Sequence, residues 1–124
     1  MEGHTHLYPM PTGKLTRKRQ ELASEIDHAF REFSRLVFAD RALDAKTKQL
    51  IAVAVAHVTQ CPYCIRGHTK LARHERATEQ EIVEAIWVAA EMRAGGAVAH
   101  SLIAMQTMEA DCHGSETADT PRST

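Results

Sequence analysis

No apolar run in this 124-residue chain approaches the ~20 residues that cross a bilayer, so no helical membrane span is expected. The opening MEGHTHLYPMPTG lacks the charged-then-apolar order of a secretory signal, and the expected compartment is the cytoplasm. Neither sign of charge dominates. Lys and Arg number 15 against 16 Asp and Glu, a formal net charge of −1, so no overall field recruits nucleic acid or an anionic membrane as a partner. No internal repeat divides the chain. Cysteine is scarce too: there are three, an odd count, and in a reducing compartment a close pair points to catalysis or metal binding rather than to a structural staple.

What is present is the composition of one globular domain, 44% hydrophobic and 25% charged. Residues 1–13, with Pro9, Pro11 and Gly13, read as an irregular arm, and residues 112–124, CHGSETADTPRST, as a flexible polar tail. The segment between, 14–111, is expected to be a single compact all-α domain of about five helices. Leu22, Ile26, Phe30, Phe33 and Leu36 or Val37 recur at three-to-four spacing, predicting one long amphipathic helix from Thr16 to Phe38 with one buried stripe. The basic cluster KLTRKR at its start reads as a solvated helix end.

Asp44 is positioned to cap a second helix through AKTKQLIAVAVAHVTQ, where the alanines favour helix over strand and the near-continuous apolar character predicts burial on most sides. Pro62 suits the first turn of a third helix that ends near His74 and makes Cys61 cap-like. Thr78 and Glu81 in TEQE form a capping box for a fourth helix, and Gly95–Gly96 is expected to separate it from a fifth, AVAHSLIAMQTM. Five helices make a modest core, so association of identical subunits is expected to bury further apolar surface.

The chemistry concentrates in CPYCIRGH, residues 61–68. On one helix, Cys61, Cys64 and His68 fall within an arc of ~60°, and the two cysteine backbones lie ~5–6 Å apart, a separation that a disulfide accepts. A helix N-terminus stabilises thiolates, so raised acidity is expected of both thiols. His68 stands one turn from Cys64, about 6 Å, but about 10 Å from Cys61, and an imidazole can relay a thiol proton at neutral pH. This sorts Cys64 as the nucleophile and Cys61 as the resolving thiol. The expected chemistry is attack of the Cys64 thiolate on a peroxide oxygen, giving a sulfenic acid that condenses with Cys61, with an outside dithiol to reduce the disulfide. A zinc-stabilised helical interaction module is the alternative, but one ion with bonds of about 2.0–2.3 Å does not easily collect ligands spread ~10 Å along a rigid helix, and no second ligand pair follows.

LDAKTKQLIAVAVAHVTQCPYCIRGHTKLA, followed by ATEQEIVEAIWVAAEMRAGGAVAH, resembles the carboxymuconolactone decarboxylase superfamily, and within it the alkylhydroperoxidase D (AhpD)-like proteins. The resemblance spans Phe30 to Met108 and implies an all-helical, trimeric or hexameric cysteine peroxidase of peroxiredoxin type. It implies an alkyl hydroperoxide substrate, no metal or organic cofactor, and a lipoyl-bearing or thioredoxin-like dithiol reductant. It maps the peroxide-reactive cysteine onto Cys64, the resolving cysteine onto Cys61 and the relay histidine onto His68. Three positions depart from it: Gln49 stands where many members carry a relay glutamate, Tyr63 where alkylhydroperoxidase D proteins carry a histidine, and Arg76 where a helix-ending glycine is frequent. An amide orients a neighbour but takes no proton at neutral pH. A decarboxylase-related enzyme acting on a small lactone or acid is the second alternative, though that branch generally lacks the cysteine pair.

The remaining candidates have plainer readings: His57 and Trp87 as core, His100 as packing, Glu84 and Glu91 as solvated, and Cys112 as a bystander in the tail. Tyr63 is equally suited to steering a substrate, donating a hydrogen bond or covering the helix surface.

Overall fold

The computed structural model describes residues 7–10 and 13–118; the rest of the expected arm and the last six positions of the expected tail lie outside the described residues. Among the described residues every regular element is a helix: α1 (Lys14–Leu22), α2 (Ser24–Phe38), α3 (Ala45–Thr59), α4 (Pro62–His74) and α5 (Glu79–Ala118). None is long and apolar enough to cross a membrane.

The local start and stop signals operate as expected. Asp44 caps α3 by accepting from the Thr47 amide at 2.7 Å. Thr78 and Glu81 bond reciprocally, at 2.8 and 3.0 Å, to open α5. Pro62 occupies the first turn of α4. Arg76, at φ 66°, closes α4 in a Schellman turn: its amide donates to Arg73 O at 3.0 Å and the Ala77 amide to Ala72 O at 2.9 Å. A side chain here carries the left-handed conformation that a glycine adopts without strain.

The elements nonetheless divide differently from the sequence expectation. The single helix from Thr16 to Phe38 is two, broken at Ala23 (φ −147°, ψ 55°), where no side chain caps either end. The expected break at Gly95–Gly96 is absent, and α5 runs through it for 40 residues, about 60 Å. Two glycines cost about 1 kcal/mol each inside a helix, which lowers its stability without forcing a stop. The same helix continues past Cys112 to Ala118, through the start of the expected tail.

The core lies where α3 meets α4 and α5. Val53, Ala72, Ala77 and Ile82 are buried together, with Leu50 and Ile86 packed against them. Lys46 ties the start of α3 to Glu81 at the start of α5, at 2.7 Å. Burial is less extensive than the hydrophobic pattern predicts. The α2 stripe is not covered, with Phe30 66% exposed, and Trp87, expected in the core, is 69% exposed. Only Gln49, Val53 and Ala56 of α3 are fully buried, because its remaining sides face a pocket or solvent within one chain. Among the described side chains of α5 the last buried one is Ala89, and beyond it Leu102 is 72% exposed.

Candidate functional site

The turn between α3 and α4 sets the paired cysteines. Gln60 takes the left-handed conformation (φ 58°, ψ 44°), and the Cys61 amide donates back to Ala56 O at 3.2 Å, closing α3. Cys61 then serves as the N-cap of α4 in extended conformation (φ −96°, ψ 109°), its sulfur accepting from the Cys64 amide at 3.4 Å. One residue therefore ends one helix and starts the next, which fixes Sγ against the first turn of α4. Both cysteines are free thiols and partly buried.

That position separates their acidities, where the helix-start argument predicts acidity for both. The Cys64 thiol and then the Cys64 amide hydrogen-bond to the Cys61 sulfur, with the Tyr63 amide adding to them, and hold the Cys61 thiol below its ordinary pKa. Donating to Cys61, together with burial and the neighbouring negative charge, pushes the Cys64 thiol up. Cys61 is thus the more acidic of the two thiols. Replacing Cys64 with alanine removes the largest of these influences, so the Cys61 thiolate should form at higher pH. Site-resolved iodoacetamide labelling against pH measures this; an unmoved midpoint at Cys61 would show that the Cys64 thiol has no part in it.

The three motif residues do not share one face equally. Cys64 and His68 line a pocket of about 400 Å³ between α2, α3 and α4, whereas Cys61 is not among its lining residues. Val37 and Phe38 of α2 and Ile51, Ala52 and Val55 of α3 supply most of the wall, and Lys48 and Thr59 stand at the two ends of the α3 stripe. The Phe38 ring stacks on His68, centroids 5.1 Å apart at 30°. Burial lowers the His68 pKa, which favours the neutral imidazole.

Gln49, 6% exposed and the one buried polar residue of the described chain, places Oε1 2.8 Å from His68 Nδ1. A carbonyl oxygen only accepts, so Nδ1 carries the proton and Nε2 keeps the lone pair. The bond joins two residues 19 positions apart and fixes the register of α3 against α4 at the site.

Other candidates fall outside this cluster. His57 is satisfied by Val53 O at 2.7 Å; Glu84, Glu91 and His100 are exposed. Tyr63 reaches the arm rather than the pocket: its hydroxyl donates to Pro9 O at 2.6 Å and its ring meets Tyr8 edge-on at 5.9 Å. Among the described residues no three His, Cys, Asp or Glu side chains converge to hold a metal. Sequence reasoning missed Phe38 and Lys48 as pocket residues. Phe38 reads as the end of an amphipathic stripe and Lys48 as an ordinary helix-surface charge, and only the packing of α2 on α3 places both on the pocket that His68 lines.

Comparison with known proteins agrees with this architecture. The sequence profile of the Carboxymuconolactone decarboxylase family matches residues 24–107. Uncharacterised protein 4 of the cox locus in Paracoccus denitrificans is 64% identical over 86 residues, 69% of this chain and 78% of that protein. An uncharacterised protein of Cupriavidus necator is 36% identical over 67 residues, covering 54% of this chain and 59% of its own length. Among solved structures, an apo carboxymuconolactone decarboxylase family protein from Legionella pneumophila superposes with TM-score 0.62 at 32% identity, over 77% of this chain and 85% of that one. A protein from Methanobacterium thermoautotrophicum does so with TM-score 0.63 at 34% identity, over 67% and 93%. With five helices in that arrangement and a family profile matching well over half of the chain, the chain belongs to the carboxymuconolactone decarboxylase family.

Proposed function

We propose that the protein is a cysteine-based alkyl hydroperoxide reductase of alkylhydroperoxidase D type. The observation that carries this reading is the Gln49–His68 bond, which aims a neutral, Nδ1-protonated imidazole into the apolar pocket that Cys64 lines, with Cys61 in hydrogen-bond reach of Cys64. A peroxide entering the pocket meets a thiol, a base and a second sulfur in sequence.

Deprotonation comes first. Cys64, whose own pKa is raised, gives its proton to His68 Nε2 as the peroxide arrives. The thiolate attacks the terminal oxygen, the O–O bond breaks, and the departing alkoxide takes the proton back from His68, leaving alcohol and Cys64 sulfenic acid. Cys61, held as the more acidic thiol, then attacks the Cys64 sulfur. The S–S bond forms, hydroxide leaves and is protonated by solvent, and a dithiol of lipoyl or thioredoxin type reduces the disulfide through a mixed disulfide. The two acidities are thus divided between tasks: the resolving sulfur is the more acidic of the pair, while the attacking sulfur is activated by the base beside it. Hydroperoxide consumption assayed with lipoyl and thioredoxin-type donors tests the reading. Turnover with either supports it, and thiols left unoxidised by one equivalent of an organic hydroperoxide would overturn it.

The working form is a homo-oligomer, a trimer or hexamer. Phe30, Phe33 and Ile26 on α2, Trp87 and Val88 on α5, and Leu102 farther along α5 leave more apolar surface open than a lone soluble domain ordinarily carries. Light scattering on the full chain at micromolar concentration should give three or six protomers; a monomer would sink this assignment.

A further inference from the structure

We infer that the pocket selects hydroperoxides whose apolar body ends in a carboxylate, and that Lys48 is the residue that recognises the acid group. The inference rests on the peroxidase reading for the hydroperoxide, but the recognition of the carboxylate stands on the pocket alone.

Lys48 is the one cationic side chain among the residues that line the pocket, and no acidic side chain lines it. The other polar groups there are committed: the Thr59 hydroxyl is turned to Ala56 O, His68 is bonded to Gln49, and Cys64 belongs to the dithiol. Lys48 Nζ donates once, to Ala39 O at 2.7 Å, at the C-terminal end of α2. An ammonium has three donors, so two remain. Among the described residues no carboxylate lies within ion-pair distance of it. The nearest acids in sequence, Asp40 and Asp44, accept from the amides of Ala45 and Thr47. A half-buried cation beside an apolar wall, without a protein anion, is complementary to an anionic group on an apolar ligand.

The spacing is consistent with one molecule meeting both ends. Gln49 bonds His68 across the α3–α4 pair, which sets Lys48 at the level of the imidazole. Cys64 lies one turn nearer the α3–α4 connection, about 6 Å along the axis. An acid group on Lys48 therefore leaves the chain running along Ile51, Ala52 and Val55 toward the sulfur. The Ala39 bond serves a second purpose, because it anchors the lysine stem so that its remaining donors point from a fixed place; it also makes a purely structural role the rival explanation.

Calorimetric titration of the full chain with octanoate and with 1-octanol separates the two. The wild type should bind octanoate more tightly than octanol. Lys48→Met should weaken octanoate at least tenfold while leaving octanol within about twofold, and Lys48→Arg should restore most of the octanoate affinity. Octanoate unaffected by Lys48→Met, or octanoate and octanol lost together in a variant that keeps the wild-type circular dichroism, would overturn the inference. Neither probe carries a peroxide bond. Lys48-dependent octanoate binding by a protein that consumes no hydroperoxide would leave the carboxylate site standing and end the peroxidase reading. Hydroperoxide turnover with no octanoate preference would do the reverse.

Discussion

Cys64→Ser is expected to abolish hydroperoxide turnover, lowering kcat/KM on the order of a thousandfold or more, as loss of a covalent nucleophile does. Cys61→Ser should behave differently. That variant should release one equivalent of alcohol per chain and stop, with Cys64 trapped as a sulfenic acid that dimedone labels and mass spectrometry locates. The contrast is informative because acidity and location disagree in this site. Cys61 is the more acidic thiol, and by acidity alone it would be the attacking sulfur. Cys64 is the sulfur that lines the pocket with His68. We propose the attack for Cys64 because a thiolate must reach the peroxide before its basicity matters, and because His68 lines the same pocket and is the base proposed to take its proton. If Cys61→Ser eliminates even the first turnover while Cys64→Ser retains it, the roles are reversed and acidity outweighs access.

Gln49→Glu is the second change with a large expected effect. In the native site the amide orients His68 without taking a proton, and burial keeps the imidazole pKa low. A carboxylate at the same position would accept from Nδ1–H and stabilise the imidazolium, so the His68 pKa should rise and Nε2 should become a stronger base. Single-turnover oxidation of Cys64 near neutral pH should accelerate about tenfold, at the modest end of what positioned acid–base groups provide. The sign with pH follows from the same shift. In the proposed mechanism the lowered His68 pKa keeps the base available as pH falls below neutrality, whereas in Gln49→Glu the acidic limb of the rate profile should move to higher pH. Unchanged rates and an unchanged acidic limb would mean that the Cys64 proton leaves by a route that avoids His68, the direct one being the Cys61 sulfur to which the Cys64 thiol donates.

Where sequence reasoning succeeded, the signal was local. Asp44, Pro62 and the Thr78–Glu81 box each act within one helical turn, and all three open the helices they were expected to open. The spacing of CPYCIRGH similarly fixes Cys64 and His68 on one side of α4, because a helix permits no other arrangement of residues four apart. Where it failed, a local signal was asked to report on a global quantity. Gly95 and Gly96 weaken a helix without ending it, and Ala23 ends one with no signal at all. Apolar periodicity marks the face that avoids water, but not whether the same chain covers it. The α2 stripe and Trp87 therefore carry the pattern of core residues and are exposed.

The amino-acid order by itself determined an all-helical chain with a paired thiol at a helix start and an imidazole one turn beyond, since turn chemistry, capping and helical period depend only on neighbours in sequence. Tertiary structure alone decided which sulfur faces the pocket, that Gln49 holds the imidazole from the other helix, and that Phe38 and Lys48 belong to the same cavity. Those outcomes depend on how α2 and α4 lie against α3. That placement arises from packing between segments up to 30 residues apart in the chain, Phe38 to His68, over which no local pattern has any hold.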